Sequence, residues 1–425
     1  AKSDLELFPL TVELHRLIRE NSRDDMEYKR YVDSLKSSVL TAFYTPKEVT
    51  DAIACALKEY NVTPSRVLEP SAGMGAFISS VKEQTPQADV MAFEKDLLTG
   101  KLLSYLYPDE KIRVEGFEKI EKPFNGTFDL AISNVPFGEV AVFDPSFETR
   151  GNQVYRSAQR TVHNYFFLKG LDTVRDGGIV AFITSQGVMN SQRNEAIRLE
   201  MLREARLVSA IRLPNNLFTE NANTEVGSDL IILQKDTRKE GLTEDERLFT
   251  ETGELHGVAT NSYFIRHEGQ IVRTGTELGT DPYGKPAMVY IHEGGVQGIA
   301  EHLRKLLDRN LHANLAMRLY SGSVRDARLQ EMEETARQEP QTEEIGMRET
   351  PEPSAPTDEK PEIEAPVMSL FDLFGITAEE QRQAQPKPSR TKQSKGNGKN
   401  TSPKPKKAAA ADFMMMNFNR NALFF

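Results

Sequence analysis

Residues 67–77 read VLEPSAGMGAF, and this stretch decides the fold. The apolar pair Val67-Leu68 leads into Glu69-Pro70, then into a turn that holds Gly73 and Gly75, and then into a segment with helical spacing. Glycine lacks the Cβ atom that would block a bound molecule, and it permits positive φ. The pattern therefore predicts a strand–loop–helix unit whose backbone passes close to a cofactor.

Short apolar runs recur along residues 61–236, and segments with helical spacing separate them. Such an arrangement is typical of a mostly parallel sheet that is covered on both faces. We therefore predict a doubly wound α/β fold with a Rossmann-like sheet of seven strands. The predicted strands are Val67-Leu68, Val90 to Phe93, Ile112 to Val114, Leu130 to Ile132, Ile179 to Thr184, Leu207 to Ile211 and Leu230 to Leu233.

The chain divides into four predicted regions. Residues 1–60 read as a helical extension and residues 61–236 as the catalytic domain. Residues 237–325 are a small α/β or accessory region, with strands at 262–265 and 288–291 and a helix over 296–319. Residues 326–425 are predicted to be disordered, because their acidic and then basic composition cannot bury enough apolar surface to fold.

Composition excludes several classes of protein. The 425 residues contain one cysteine, Cys55, so an internal disulfide and a cysteine-rich zinc site are excluded, and we predict no metal site. No apolar run approaches the roughly 20 residues that span a bilayer, so we expect a cytoplasmic protein without membrane contact. The net charge of −10 argues against a protein that coats nucleic acid by bulk attraction, and a DNA-binding face must be local.

A carboxylate follows the next predicted strand, where Glu94 lies nineteen residues beyond Gly75. In doubly wound nucleotide sites, a carboxylate at this place accepts hydrogen bonds from ribose hydroxyl groups. The glycine loop has no third glycine and no Lys-Ser/Thr pair, and Glu69 beside it would repel phosphates. A cationic cofactor without phosphates fits better, and S-adenosylmethionine is the candidate.

The predicted fourth strand ends in the segment Ser133-Asn134-Val135-Pro136-Phe137. An exocyclic amine on a planar base needs two acceptors for its protons, and the amide oxygen of Asn134 and the backbone carbonyl of Val135 can supply them. Phe137 can hold the base by stacking, and Pro136 stiffens the turn. An ordinary strand-to-loop turn is the alternative, but the position at a strand end beside the cofactor loop favours a catalytic role.

In this order the motifs resemble those of gamma-class N6-adenine DNA methyltransferases, which have a Rossmann-like S-adenosylmethionine-dependent fold. Residues 42–46 (AFYTP) resemble the amino-terminal motif of that family, so the resemblance assigns Tyr44, Thr45 and Pro46 to the cofactor site. Thr45 and Pro46 also suit the start of a helix, with Glu48 completing a capping box.

The resemblance implies further cofactor-binding residues. These are Glu69, Pro70, Ala72, Gly73 and Gly75 of the glycine loop, Glu94 as the ribose acid, and Phe117 near the cofactor's adenine.

The resemblance also makes Asn134, Val135, Pro136 and Phe137 the catalytic motif. Val135 stands where the family has its first proline, and Gly116-Phe117-Glu118 lacks the usual aspartate.

The implied activity is transfer of a methyl group from S-adenosylmethionine to the N6 amine of an adenine in DNA, flipped out of a duplex or taken from a single strand. The chain is also similar to the methylase portion of the methylase–helicase proteins of bacterial mobile elements and phages, which implies restriction-modification or protection of mobile-element DNA and a helicase or specificity partner. Methylation of cytosine N4, RNA or protein glutamine stays open as an alternative. So does an inactive DNA-associated protein that has kept the fold.

Several weaker signals complete the sequence. Residues 279–285 have the spacing of a phosphate loop, but Pro286 follows and no apolar strand precedes them, so we predict no nucleotide site there. His163 is predicted to be a packed helix residue. Met368 to Phe374 loosely resembles peptides that dock on the bacterial sliding clamp, and the basic run Lys387 to Lys407 is predicted to contact phosphates weakly.

Overall fold

The computed structural model describes residues 12–20, 22–41, 45–219, 225–280 and 286–322. The predictions for Tyr44 and for the tail from residue 326, including Met368 to Phe374, lie outside the described residues.

A seven-stranded sheet organises the chain, in the order β3-β2-β1-β4-β5-β7-β6. Strands β1 to β5 run parallel to one another, whereas β7 is antiparallel to both β5 and β6. This arrangement confirms the predicted doubly wound, mostly parallel sheet, and each predicted apolar run overlaps one strand. The strands are β1 Arg66–Glu69, β2 Asp89–Phe93, β3 Lys111–Arg113, β4 Phe128–Asn134, β5 Val174–Ser185, β6 Ala205–Leu213 and β7 Ser228–Lys235.

Helices follow most of the strands. The helices are α1 (12–20), α2 Asp25–Thr41, α3 Lys47–Glu59, α4 Ala76–Gln84, α5 Leu97–Leu106, α6 Pro145–Glu148, α7 Gln153–Ala158, α8 Val162–Thr173, α9 Gly187–Asn190, α10 Glu195–Met201, α11 Glu244–Thr250, α12 Ser262–Arg266, α13 Gly295–Asn314 and α14 (317–322). Two antiparallel hairpins lie outside the main sheet, β8 Thr252–Leu255 with β9 Val258–Asn261 and β10 Gly275–Thr280 with β11 Pro286–Ile291.

The sheet is buried on both faces because successive side chains of a strand point to opposite sides. In β5, Ile179, Ala181 and Ile183 join one apolar core together with residues of α3, α4 and α13. Val180 and Phe182 join the other core, with residues of α8 and α10. The result is a three-layer α/β/α sandwich.

Two elements outside the alternating pattern are tied to the sheet by polar contacts. On α2, the Ser34 hydroxyl donates to the Asp96 carboxylate (2.6 Å) and accepts from the Leu98 amide (3.0 Å), which fixes α2 at the start of α5. On α13, Asp308 accepts a hydrogen bond from the Tyr60 hydroxyl (2.7 Å). Both elements therefore pack directly on the layer that carries the glycine loop.

The region after residue 236 departs from the sequence expectation in one place. The predicted strand at 262–265 is wrong, because these residues form α12. The Asn261 side chain accepts a hydrogen bond from the Tyr263 amide (3.0 Å) and thereby starts a helix. The strand predicted at 288–291 is confirmed by β11, and the predicted helix over 296–319 corresponds to α13, which ends at Asn314. Within the described ranges, no helix combines the length and the apolar character needed to cross a membrane.

Candidate active site

The site lies at the carboxyl ends of β1 and β4, which are neighbouring strands at the middle of the sheet. From β1 the chain proceeds to β2 on one side, whereas β4 lies on the other side of β1, so a crevice opens at the carboxyl ends of these strands. The Ser133 hydroxyl, near the end of β4, donates a hydrogen bond to the Ser71 carbonyl, just past the end of β1 (2.9 Å). The glycine loop and the predicted catalytic turn are therefore adjacent and directly bonded.

The glycine loop is held in shape by both of its neighbours. Gly73 and Gly75 have φ angles of 54° and 81°, a region that favours glycine. The Ala72 amide donates to the carbonyl of Phe93 at the end of β2 (2.9 Å). A Cβ atom on Gly75 would overlap the ring of Tyr107, and the Tyr107 hydroxyl donates to the Gly75 carbonyl (3.0 Å). The second glycine is therefore required by Tyr107 as well as by its φ angle.

Glu94 lies at the end of β2, against the same loop. One carboxylate oxygen accepts from the Gly73 amide (2.8 Å) and the other accepts from the Asp96 amide (2.7 Å). Burial raises the pKa of this carboxyl, and the two amide hydrogen bonds act in the opposite direction. Each carboxylate oxygen has two lone pairs, so each can accept one more hydrogen bond from a ribose hydroxyl group.

Glu69, the last residue of β1, is the most unusual group of the site. It is 2% exposed, it accepts a hydrogen bond from the Ile78 amide, and its second oxygen is buried with no hydrogen-bond partner. Burial raises the pKa of this carboxyl well above its ordinary value, and the charge of Glu94 raises it further. An uncompensated buried carboxylate is costly, and a cation nearby would relieve that cost. The buried carboxyl of Glu69 therefore fits a cofactor that carries a sulfonium and an ammonium group.

The amino-terminal motif reaches the site through α3. Thr45 and Pro46 are buried, and Pro46 is the N-cap of α3, which begins at Lys47. The predicted capping box is wrong. No side chain caps this helix, and the Pro46 carbonyl instead accepts from the amides of Val49 (3.0 Å) and Thr50 (3.2 Å).

The start of α3 is bonded to the helix that follows the glycine loop. The Ser80 hydroxyl on α4 donates to the Asp51 carboxylate (2.6 Å) and lies 2.8 Å from the Thr50 hydroxyl. This buried network keeps residues 45 and 46 near the glycine loop.

The predicted catalytic turn follows β4. Asn134 and Phe137 are half-buried, and Pro136 is exposed. Val135 is buried, and its amide donates to the Ile183 carbonyl of β5 (2.9 Å), a bond that a proline at this position could not make. Val135 in place of the family's proline thus adds a hydrogen bond that anchors the turn. It also keeps the backbone carbonyl that is predicted to accept a proton of the target amine.

The residues predicted near the cofactor's adenine have a different environment. Phe117 is 1% exposed, and its ring packs against Phe93, Tyr165 and Phe166. Its side chain is therefore part of the core. The Glu118 carboxylate instead folds back over Gly116, where a Cβ atom would overlap it, and lies 4.0 Å from Lys95. Glu118 is thus a half-buried acid on the same side of the site as Glu94.

Two aromatic residues of the site carry no local sequence signal. Tyr107 lies 32 residues after Gly75, and Phe218 lies well after β4, with its ring edge against Phe137 (6.1 Å between centroids). A cavity of about 330 Å³ lies beside the segment that carries Phe218, and none of the predicted site residues line it. Its lining residues are Asn215, Asn216, Thr219, Glu225, Ile291, Gly295 and Val296.

The remaining sequence signals resolve as packing or turn features. His163 is buried, and desolvation lowers the pKa of its imidazole to about 4, in agreement with a packed residue. Gly279 lies in the antiparallel strand β10 with Val289 against it, unlike the strand-to-helix turn of a phosphate loop.

The sheet order, the glycine loop after β1 and the acid after β2 define an S-adenosylmethionine-dependent methyltransferase fold. Residues 30–273 match the sequence profile described as N-6 DNA Methylase. The chain belongs to this family of DNA methylases, and S-adenosylmethionine is its methyl donor.

Individual relatives cover parts of the chain. It is 29% identical over 199 residues to the "Defense against restriction protein B" of Escherichia phage P1, which covers 46% of this chain and 8% of that protein. It is 25% identical over 177 residues to the modification methylase CviBIII of Paramecium bursaria Chlorella virus NC1A, which covers 40% of this chain and 45% of that protein. The chain thus spans less than half the length of these relatives.

Among solved structures, the M protein of the type I restriction enzyme EcoKI is similar. The TM-score is 0.36 and the sequence identity is 13%, and the match covers 64% of this chain and 71% of that one.

Proposed function

We propose that this protein transfers a methyl group to the exocyclic N6 amine of adenine in DNA. The observation that carries the proposal is the hydrogen bond between Ser133 and Ser71, because it places the turn at Asn134 directly beside the glycine loop. A methyl donor bound along that loop would lie next to the residues that can hold an amine. Family membership supports DNA as the substrate.

The cofactor would be held by three groups of the crevice. Glu94 would accept from its ribose hydroxyl groups, and Glu69 would face its cationic end. Glu118 is our candidate for the acid that bonds the cofactor's adenine, since the Phe117 side chain is buried in the core. When bound, S-adenosylmethionine supplies an electrophilic methyl group.

The catalytic turn would then orient the target base. The Asn134 amide oxygen and the Val135 carbonyl accept the two amine protons, so that the nitrogen lone pair faces the methyl donor. Phe137, fixed by Phe218 and the core behind it, stacks on the base. Orientation of this kind lowers the barrier without a covalent enzyme intermediate. The adenine must leave the helix to reach the turn, so the protein flips its base.

We further propose that the modification protects DNA of a mobile element. The phage P1 relative is named for defense against restriction, which supports a protective role over a purely regulatory one. We also propose that a helicase or specificity partner contributes to the choice of the DNA sequence.

The test is methyl transfer from tritiated S-adenosylmethionine to unmethylated plasmid, followed by mass spectrometry of the nucleosides. We expect N6-methyladenine. N4-methylcytosine, or label on RNA or protein, would contradict the assignment of the target amine. Absence of label on all of these, with cofactor binding intact, would favour an inactive member of the family.

A further inference from the structure

The loop that follows the catalytic turn exposes apolar side chains beside the site. Val140 is 59% exposed and Phe143 is 71% exposed, and both lie within nine residues of Asn134. Single exposed apolar residues are ordinary on protein surfaces. Two of them on one short loop at the edge of a crevice form a local apolar feature that needs an explanation.

This loop is held firmly on both sides of Phe143. The Val142 amide donates to the Gln159 carbonyl (2.8 Å), and the Asp144 amide donates to the Gln159 side chain (2.7 Å). Gln159 is itself buried and donates to Glu148 (2.7 Å). The backbone on the two sides of Phe143 is thus fixed by two hydrogen bonds to Gln159, while the Phe143 ring is left in solvent.

Buried charge reinforces the same anchor. Asp144 accepts from Lys169 (2.9 Å) and from the Tyr165 hydroxyl (2.8 Å), and all three groups are buried. Burial opposes ionisation of Asp144, but hydrogen bonds from Ser146, Lys169 and Tyr165 lower the pKa of its carboxyl. The carboxylate is therefore neutralised by Lys169 and does not repel a phosphate near the loop.

A cation follows the residue that anchors this loop, because Gln159 accepts hydrogen bonds from the amides on both sides of Phe143. Arg160 follows Gln159 directly, is exposed, and forms no ion pair with another residue in the described part of the chain. Glu139 is the exposed acid of the same loop. An aromatic ring on a rigid support, with a guanidinium group on the residue after the anchor, matches a nucleobase with its phosphate.

We propose that Phe143, with Val140 beside it, stacks on the DNA bases next to the flipped adenine and fills the gap that the adenine leaves, while Arg160 binds a flanking phosphate. The proposal rests on the proposed function. Apolar wedges of this kind unstack base steps and stabilise distorted DNA. The Phe143 ring would stabilise the duplex only while the target adenine is flipped out. It should therefore increase the activity on duplex DNA and not on single-stranded DNA.

The test compares native plasmid with the same plasmid after heat denaturation. Phe143→Ala removes the ring, Phe143→Tyr keeps it, and Leu278→Ala is the matched control, since Leu278 is a 63% exposed apolar residue on the β10–β11 hairpin. For Phe143→Ala we expect kcat/KM on duplex DNA to fall about 5- to 150-fold, the range of one base–aromatic stack. On denatured DNA, we expect a fall of less than about threefold. Phe143→Tyr and Leu278→Ala should behave as the wild type on both.

The outcomes separate this inference from the proposed function. If the wild-type protein methylates DNA and Phe143→Ala methylates duplex DNA equally well, this inference is overturned and the proposed function stands. An equal loss on duplex and denatured DNA would also overturn it, because the ring would then serve another role, such as contact with a partner protein. A wild-type protein that neither methylates DNA nor binds a labelled duplex in a fluorescence anisotropy assay would overturn both.

Discussion

Replacing Glu69 with glutamine should change how the stability of the free protein depends on pH. The Glu69 carboxyl has a folded-state pKa well above its ordinary value of 4.5, because burial opposes its ionisation. Between 4.5 and the folded-state pKa, the native protein therefore holds a proton that the unfolded chain has lost. Stability must then fall as the pH rises through that window, by about 1.4 kcal/mol for each pH unit.

Glutamine cannot ionise, so the variant should not show this loss. Its side-chain oxygen can still accept from the Ile78 amide. The free energy of unfolding of Glu69→Gln minus that of the wild type should therefore increase with pH throughout the window and stay constant below pH 4.5. Urea unfolding at a series of pH values measures this difference, and the other titrating groups largely cancel in it.

The same substitution should weaken cofactor binding. A hydrogen bond to a charged group contributes about 1.5–3 kcal/mol, so we expect the Kd for S-adenosylmethionine to rise about 10- to 150-fold. Glu301→Gln, at an exposed position on α13, is the control and should alter neither quantity. If the difference in unfolding free energy between Glu69→Gln and the wild type does not change with pH, Glu69 is not the buried acid with a raised pKa on which this argument depends.

Two further substitutions test the loop and the sheet. Gly75→Ala should lower cofactor affinity measured by calorimetry, and it should reduce stability by about 1–2 kcal/mol for its φ angle alone, with more for overlap with Tyr107. Gly126→Ala, at a φ of 72° in open space, should lose only the stability due to its φ angle and keep the wild-type cofactor affinity. Equal losses in both variants would remove Tyr107 from the explanation. Asp229→Ala leaves the fully buried Arg212 without its carboxylate partner (2.9 Å) and should cost about 3–5 kcal/mol in thermal unfolding, and a loss below 1 kcal/mol would contradict this account.

The fold could be predicted from the sequence because its strands are short apolar runs. Each of the seven runs overlaps a strand, since a central strand buried on both faces leaves little choice of residue type. The antiparallel placement of β7 between β5 and β6 has no such signal. The strand expected at 262–265 failed because Asn261, a polar side chain just before an apolar segment, starts a helix there.

The site was only partly predictable for a related reason. The glycine loop, Glu94 and the turn at Asn134 are each local patterns, and the sheet brings their strands together. Tyr107 and Phe218 act on Gly75 and Phe137 from distant parts of the chain, so no local pattern marks them. The same holds for Ser34, which reaches Asp96 from a helix 62 residues earlier.

Methyl transfer by Asn134→Ala tests the central claim most directly. The variant should bind S-adenosylmethionine with nearly the wild-type Kd in calorimetry, and it should form N6-methyladenine in plasmid DNA at a rate lower by on the order of 10²–10³-fold, because the amine loses an oriented acceptor. Asn125→Ala, at an exposed position before β4, should leave both measurements unchanged. A variant at residue 134 that methylates adenine at the wild-type rate would contradict the claim that this carboxamide holds the target amine.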